Sequence, residues 1–296
     1  MPRRYPLGAN RRQDSWTPFP NSSNSTHVSD DVFDAGWLAL REAADHRSRV
    51  HALADRLTDA AGHAGWTRIL DLGSGTGSNL RYLAPRWPWA RSWSLLDHDS
   101  GLLASARAAT IPDPVRLVGD LAEEGLAAIS DADVVTASAL LDLVSETWLS
   151  AAVRACAARG AAVLFVLSYD GSIEWGVPDE DDALVRDALN AHQQREKGLG
   201  QALGPDAAPL AERLFRAAGY STSLSSSPWR LSGPDDRDLT LALMSGWIAA
   251  AIELQPEQES RLKAWEARRA QSVLTDRYEV IVGHHDLLAL PPGSGA

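Results

Sequence analysis

The chain has 296 residues, 45% of them hydrophobic, which suits one large α/β domain with appended segments. Its formal net charge of −11 argues against a broad phosphate-binding surface, and so against DNA or RNA as a partner. The single cysteine, Cys156, excludes an internal disulfide and points to a reducing, cytoplasmic setting, and no apolar run approaches the ~18 residues that a membrane span requires.

Residues 1–31 are rich in Arg, Pro, Ser and Asn and lack the apolar stretch of a secretory signal; they are expected to form a flexible tail. From Val32 to Ala61 the pattern is helical, with Val50, Leu53 and Leu57 on one face and an end near Gly62. This leading helix carries the charged cluster Arg41, Asp45, His46, Arg47 and Arg49, which could meet an anionic ligand but is more often a solvated face.

Strands and helices then alternate: strand 68–72, a helix from 77, strand 93–97, helix 99–109, strand 115–119, helix 122–129, strand 133–137, helix 146–158 and strand 161–168. This rhythm predicts a doubly wound parallel sheet with helices on both faces. Residues 169–178 read as a loop, and 179–197 as a helix, acidic at its start, basic at its end and stopped by Gly198. A glycine-rich stretch to Gly204, a helix to Ala218, a strand from Tyr220 to Leu231, helices near 238–254 and 257–273, and a closing strand from Tyr278 to Leu290 complete the chain. There are no internal repeats. Eleven tryptophans are many for this length, and packing is their expected role.

The segment from Ile69 to Leu80 joins the first strand to its helix through Gly73, Gly75 and Gly77, with Asp71 two residues ahead. Alternate glycines let the backbone turn tightly and let a ligand lie where a Cβ would obstruct it. The dinucleotide fingerprint G-x-G-x-x-G needs its third glycine at position 78, where this chain has serine. The second strand ends in Asp97, 20 residues after Gly77, where a ribose would present its hydroxyls to a carboxylate; taken alone, Asp97 could equally cap the next helix, whose start at Asp99-Ser100 also suits. The third strand ends in Asp120-Leu121, and the fourth runs through Ser138 into Ala139-Leu140-Leu141-Asp142. Gly73, Asp97, Asp120 and Ser138 all fall at the carboxyl ends of strands, where such sheets bind ligands.

With these motifs the chain resembles the class I S-adenosylmethionine-dependent methyltransferases, whose first motif here reads Asp71-Leu72-Gly73-Ser74-Gly75-Thr76-Gly77. The resemblance covers residues 65–170 in element order and, more loosely, the end of the chain. It implies a Rossmann-like, mostly parallel seven-stranded sheet with an antiparallel last strand. The domain would span 32–296, with helical insertions at 171–205 and 234–275 covering the acceptor site. The implied cofactor is S-adenosylmethionine, held by Asp71, Gly73, Ser74, Gly75, Gly77, Asp97, His98, Asp120, Leu121 and Ser138. In that family the Asp-Leu pair meets the adenine, and the segment after the fourth strand lies beside the methionine moiety and the reacting methyl group.

Methyl transfer from a sulfonium is an in-line displacement, so positioning dominates and a base is needed only where the acceptor holds a proton it cannot shed. The fourth strand lacks the Asn/Asp-Pro-Pro-aromatic pattern used for planar amines and the Pro-Cys used for cytosine carbon, which argues against both substrate classes. Asp142 is the candidate for orienting or deprotonating an acceptor, with a loop carboxylate bonding nearby amides as the alternative. His192 shares a helical stripe with Val185 and Leu189 and is a second candidate, although a satisfied core histidine fits the same pattern. Arg195 and Lys197 could bind an acceptor anion, or simply end their helix. His284 and His285 point to opposite faces of a strand and do not readily chelate one ion, so no metal is expected. The expectation is a methyltransferase acting on oxygen or nitrogen of a small molecule. A non-catalytic S-adenosylmethionine-binding sensor or partner, a protein acceptor, and a nucleotide-dependent oxidoreductase opposed by Ser78 are the alternatives.

Overall fold

In the computed structural model the structure describes residues 34–109 and 113–294, so the expected tail at 1–31 lies outside the described residues. The leading helix is two helices, α1 (Ala35–Ser48) and α2 (His51–Ala64). They part because Arg49 and Val50 are extended, with ψ of 140° and 92°, and the Val50 amide donates to Asp286 Oδ2 at 2.9 Å instead of to a helical carbonyl. α2 ends at Gly65 in the left-handed region (φ 69°), three residues past the expected Gly62.

The alternating unit follows as β1 (Arg68–Leu72), α3 (Ser78–Leu83), β2 (Ser92–Asp97), α4 (Ser100–Ser105) and β3 (Val115–Val118). A turn of π-helix (Leu121–Gly125) then runs into α5 (Leu126–Ala128), followed by β4 (Val134–Ser138), α6 (Glu146–Arg159) and β5 (Ala162–Trp175). The remainder is α7 (Asp182–Gln193), α8 (Ala207–Ala217), β6 (Ser221–Ser226), β7 (Trp229–Ser232), α9 (Arg237–Leu254), α10 (Glu259–Leu274) and β8 (Glu279–Leu290).

The strands form one sheet in the order β3-β2-β1-β4-β5-β8-β6, with β7 also pairing β8. β1 to β5 are parallel and β8 runs antiparallel between β5 and β6. This is a doubly wound, mostly parallel sheet whose last strand is antiparallel. It has eight strands where seven were expected, because Pro228 and the Ser227 side chain break the Tyr220–Leu231 run in two. Ser227 N donates to the His284 carbonyl (2.8 Å) and its Oγ to Asp286 Oδ1 (2.8 Å), and proline has no N–H to continue the ladder.

A second difference concerns residues 169–178, which read as a loop. The strand continues to Trp175: Tyr169 pairs with His284, the register shifts around Gly171 (φ 89°), and Ile173 to Trp175 resume pairing with Val282 to Val280. Asp170 and Gly171 look like turn residues, and only the long β8 shows that they form an irregularity inside a strand. α7 also stops at Gln193, short of the expected Lys197, because residues 194–206 fold back with Glu196 bridging Gln201 and Ala202 bridging Ser145.

Both faces of the sheet are covered. Leu70, Val135 and Phe165 pack against Leu149 of α6 and Phe215 of α8, while Ile69, Leu95 and Leu164 pack against Leu57 of α2 and Leu83 of α3. A third core, with Trp175, Trp229, Val280, Leu243, Trp247 and Trp265, joins the outer ends of β5, β7 and β8 to α7, α9 and α10. Full burial of each such side chain contributes about 1.5–3 kcal/mol. Cys156 is buried in α6 with its thiol pushed up to about 12, as expected of an inert core residue. No helix among the described residues is long and apolar enough to cross a membrane.

Candidate active site

The β1–α3 turn needs its glycines. Gly73, Gly75 and Gly77 have φ of 61°, 50° and 83°, and a Cβ on each would lie 3.0–3.1 Å from Leu140, Leu38 and Ala106 respectively. The turn is bolted to the neighbouring strand: Ser74 N donates to the Leu96 carbonyl at 3.0 Å and Ser74 Oγ to the Asp71 carbonyl at 2.7 Å. The Ser74 hydroxyl therefore shapes the loop.

Asp97, at the end of β2, is buried. Its Oδ2 accepts from Gly75 N at 2.8 Å and its Oδ1 from Asp99 N at 3.0 Å, which leaves each oxygen one further lone pair. The helix cap is supplied by Asp99, whose Oδ1 accepts from Gly101 N (2.7 Å) and Leu102 N (3.0 Å). Asp97 is thus aimed at the glycine loop and does not cap α4. His98 is half exposed beside it, with Nδ1 at 3.4 Å from Asp97 Oδ1.

Asp120 is exposed after β3 and caps the π turn: its Oδ1 accepts from Glu123 N at 2.7 Å, while its own amide donates to Glu124 Oε2 at 3.0 Å. Leu121 is half-buried, and its carbonyl accepts from Trp148 Nε1 at 2.7 Å. Ser138 is half-buried at the end of β4. The chain then passes through Ala139, held at φ 53° with its amide donating to the Val166 carbonyl at 2.9 Å.

Asp71 lies beneath the loop, fully enclosed. Oδ1 accepts from Asn79 Nδ2 (2.6 Å) and Thr136 Oγ1 (2.7 Å), whereas Oδ2 has no partner among the described residues. Burial pushes its carboxyl up to about 6, against the opposing pull of those hydrogen bonds and the Arg49 charge. Asn79 also accepts from buried Arg49 Nη1 at 2.9 Å, and Arg49 Nε lies 3.9 Å from Asp286 Oδ2. Sequence reasoning passed over Asn79, Thr136 and Asp286. A polar residue in an otherwise apolar strand (Thr136) and an acid in an apolar run (Asp286) are the signals that mark this network.

α1 lies across the loop. Leu38 touches the Gly75 position, Arg81 of α3 donates to the Thr76 carbonyl and to Glu42, and His46 Nε2 lies 3.1 Å from the Ser78 carbonyl and hydroxyl oxygens. The charged cluster of the leading helix is therefore an inward contact set in which Arg41, Asp45, His46 and Arg49 all have protein partners.

Asp142 follows β4 and is buried, with Oδ1 unpartnered among the described residues. Burial pushes its carboxyl up, and the Lys197 and Arg41 charges oppose that. His192 is buried on α7, with Nε2 3.2 Å from Glu253 Oε2 and Nδ1 unpartnered. Burial lowers its basicity, which Glu253 partly restores and Lys197 opposes. Lys197 thus acts electrostatically on both candidates. Arg195 pairs with Glu253, and Lys197 Nζ donates to Gln193 Oε1 at 2.8 Å. A groove of about 860 Å³ between the π turn, the start of α6 and residues 194–206 is lined by none of the candidate residues.

No protein-family model and no curated protein matches the sequence. Among solved structures, the chain is similar to a putative type II methyltransferase from Anaeromyxobacter dehalogenans, at 17% identity over 82% of this chain and 96% of that one, with a TM-score of 0.49. It is also similar to an S-adenosylmethionine-dependent methyltransferase from Thiobacillus denitrificans in complex with S-adenosyl-L-homocysteine, at 18% identity over 87% and 99% of the two chains, with a TM-score of 0.42. A third similarity is to the YcgJ protein of Bacillus subtilis, at 12% identity over 82% and 99%, with a TM-score of 0.45. The doubly wound fold itself follows from the strand order and register described above.

Proposed function

We propose that this protein is an S-adenosylmethionine-dependent methyltransferase that methylates oxygen or nitrogen of a small molecule. The observation that carries the reading is the Asp97 carboxylate bonded to Gly75 N, which couples the acid of β2 to a glycine turn in which side chains have no room. The residues present fit an adenosyl group. Asp97 retains lone pairs for ribose hydroxyls, His98, Asp120 and Leu121 border the adenine position, and Asp71, Gly73, Ser74, Gly75, Gly77 and Ser138 form the turn and the end of β4 beside the methionine moiety.

The bound cofactor supplies an electrophilic methyl group on a sulfonium with a neutral thioether as leaving group. The protein's own residues hold the acceptor in line and exclude water. Asp142, next to the end of β4, orients the acceptor or takes its proton through the unpartnered Oδ1, and His192, with Nδ1 unpartnered, is the second candidate for that role. α7 and the α9–α10 pair close the acceptor side. The net charge of −11 favours a small acceptor over a nucleic acid, and a cytoplasmic setting fits the single buried cysteine.

Calorimetric titration with S-adenosylhomocysteine, with NAD as control, tests the donor reading. Binding of the former alone at micromolar strength or better supports it. Binding of NAD alone, or of neither, removes it.

A further inference from the structure

The glycine turn is held from two directions. Its first half is tied to β2: Ser74 N donates to the Leu96 carbonyl at 3.0 Å and Gly75 N to Asp97 Oδ2 at 2.8 Å. Its second half is tied to α1, and the contacts fall on one stripe of that helix. Leu38, Glu42 and His46 are spaced i, i+4, i+8 and meet the turn in order. A methyl carbon of Leu38 lies 3.1 Å from the place a Cβ on Gly75 would take, and Glu42 reaches the Thr76 carbonyl through Arg81. His46 Nε2 lies 3.1 Å from both the carbonyl and the hydroxyl oxygen of Ser78, and because a carbonyl only accepts, Nε2 carries the proton.

Arg81 is the centre of this arrangement. Its Nε and Nη2 donate to Glu42 Oε1 and Oε2 at 2.7 and 2.5 Å, and its Nη1 donates to the Thr76 carbonyl at 2.5 Å. A guanidinium is planar, so two donors seated on one carboxylate fix the direction of the third. The two side chains are 30% and 23% exposed, and solvent screens the pair only in part. The Arg81 hydrogen bond holds the Glu42 carboxyl below its ordinary range, so the pair is ionic at neutral pH. Thr76 stands between Gly75 and Gly77, at φ of 50° and 83°, and glycine neighbours let its peptide groups reorient at little cost. The Gly77 amide donates to the Ser74 carbonyl at 2.8 Å within the turn, and the Arg81 bond is the tie from outside that sets the carbonyl of the same peptide group.

We propose that Arg81 is a positioning residue for the donor, acting with Glu42 of α1: seated on that carboxylate, the guanidinium fixes the Thr76 carbonyl, and with it the glycine turn, in the shape that accepts S-adenosylmethionine. This rests on the donor reading above. Donor binding and the seating of the Glu42 stripe are then linked, and by reciprocity a bound donor tightens α1 on the turn. α1 is also held by contacts that do not touch the turn: Arg47 pairs with Asp236 at the start of α9, and Asp45 accepts from Trp229 Nε1 at 3.2 Å. Loss of the Arg81 bridge therefore frees the turn without detaching the helix.

The test uses the full chain with S-adenosylhomocysteine as probe, and reads calorimetric affinity and urea midpoint on each variant. Arg81→Lys keeps the charge but has one nitrogen for three acceptors, and Glu42→Gln keeps the shape but loses the charge; each should weaken the probe about tenfold. Both act on one carbonyl, so the double variant should lose about tenfold to twentyfold, where independent effects would multiply to about a hundredfold. Arg47→Gln removes the ion pair to Asp236, and should lower the urea midpoint by a similar amount while leaving affinity within about twofold. That contrast separates positioning of the turn from mere support of the helix. Should a variant fail to fold, amide exchange in wild type decides: saturation with S-adenosylhomocysteine should slow exchange about fivefold or more in residues 38–46 together with residues 74–78. Unchanged affinity in folded Arg81→Lys and Glu42→Gln, a hundredfold loss in the double variant, a loss in Arg47→Gln equal to theirs, or protection of the turn without α1 overturns the proposal and leaves the donor reading standing. Failure of wild type to bind S-adenosylhomocysteine removes the donor reading and this inference with it.

Discussion

The two halves of the candidate site are built differently. In the loop half, the acids at the strand ends are tied to backbone amides within a few residues or on the adjacent turn: Asp97 to Gly75 and Asp99, Asp99 to Gly101 and Leu102, Asp120 to Glu123. In the proposed acceptor half, the candidate side chains come from elements far apart in the chain, Asp142 from the turn after β4 and His192 from α7, and Asp142 Oδ1 and His192 Nδ1 have no partner among the described residues. A frame fixed by local bonds stays rigid whichever acceptor is present. A pocket assembled from distant elements can vary its chemistry without disturbing that frame.

The two halves are joined through one buried carboxylate, and its loss should have the largest effect. Asp286 accepts from Val50 N (2.9 Å), Leu167 N (2.9 Å) and Ser227 Oγ (2.8 Å), and it is the charge partner of buried Arg49, which in turn bonds Asn79 beneath the loop. Asp286→Ala removes the strongest counter-charge of buried Arg49 and leaves the Val50 and Leu167 amides without their acceptor, and should destabilise the fold by about 3–5 kcal/mol in urea unfolding. A loss under about 1 kcal/mol would mean that the halves are held together by apolar packing alone.

Asp71 is the member of the loop half that breaks its rule, with one oxygen unpartnered. Its carboxyl is raised from 3.8 to about 6 in the folded chain, so the native state holds the proton more tightly than the unfolded state does. Its contribution to stability is therefore full below about pH 4, falls as the pH rises to about 6, and is constant above that. Asp71→Asn keeps an acceptor for Asn79 and Thr136 and removes the titration. Between about pH 4 and pH 7, wild type should lose on the order of 3 kcal/mol relative to the variant. Parallel stability–pH curves would show that Asp71 does not change its charge state in this range.

The same local-versus-distant contrast decides what was legible in the sequence. Gly73, Gly75 and Gly77 and the acids after three consecutive strands could be read because their spacing is set by the strand–turn–helix unit that contains them. The strand between Tyr169 and Trp175 could not, because Asp170 and Gly171 carry turn chemistry and only pairing with β8, more than a hundred residues on, makes the segment extended. The break at Arg49-Val50 has the same origin: the carboxylate that replaces the helical bond belongs to Asp286. His284 and Arg41 appear in the sequence as half of an unconvincing metal pair and as one charge on a polar face. Their relation through Trp229 exists only in the folded chain.

Within the loop half, Asp97→Ala should weaken S-adenosylhomocysteine binding by roughly 1–3 kcal/mol through lost charge-assisted hydrogen bonds while leaving the fold intact. Calorimetry on the folded variant reads this directly, and unchanged affinity would take Asp97 out of the donor site.

Asp99→Ala supplies the matching control and the smallest effect. The two acids are two residues apart and both bond backbone amides, and the sequence alone leaves open which of them caps the next helix. The structure separates them: Asp99 Oδ1 takes the first free amides of α4, whereas Asp97 faces Gly75. Removing the cap should cost about 1 kcal/mol of stability, seen as a modest fall in urea midpoint, with S-adenosylhomocysteine affinity unchanged. α4 has only six residues and packs Leu102 and Leu103 into the core, so tertiary contacts keep it helical without its cap. If Asp99→Ala weakened donor binding as much as Asp97→Ala, the two acids would be acting together through the bond from Asp99 N to Asp97 Oδ1, and that hydrogen bond would be what orients the Asp97 carboxylate.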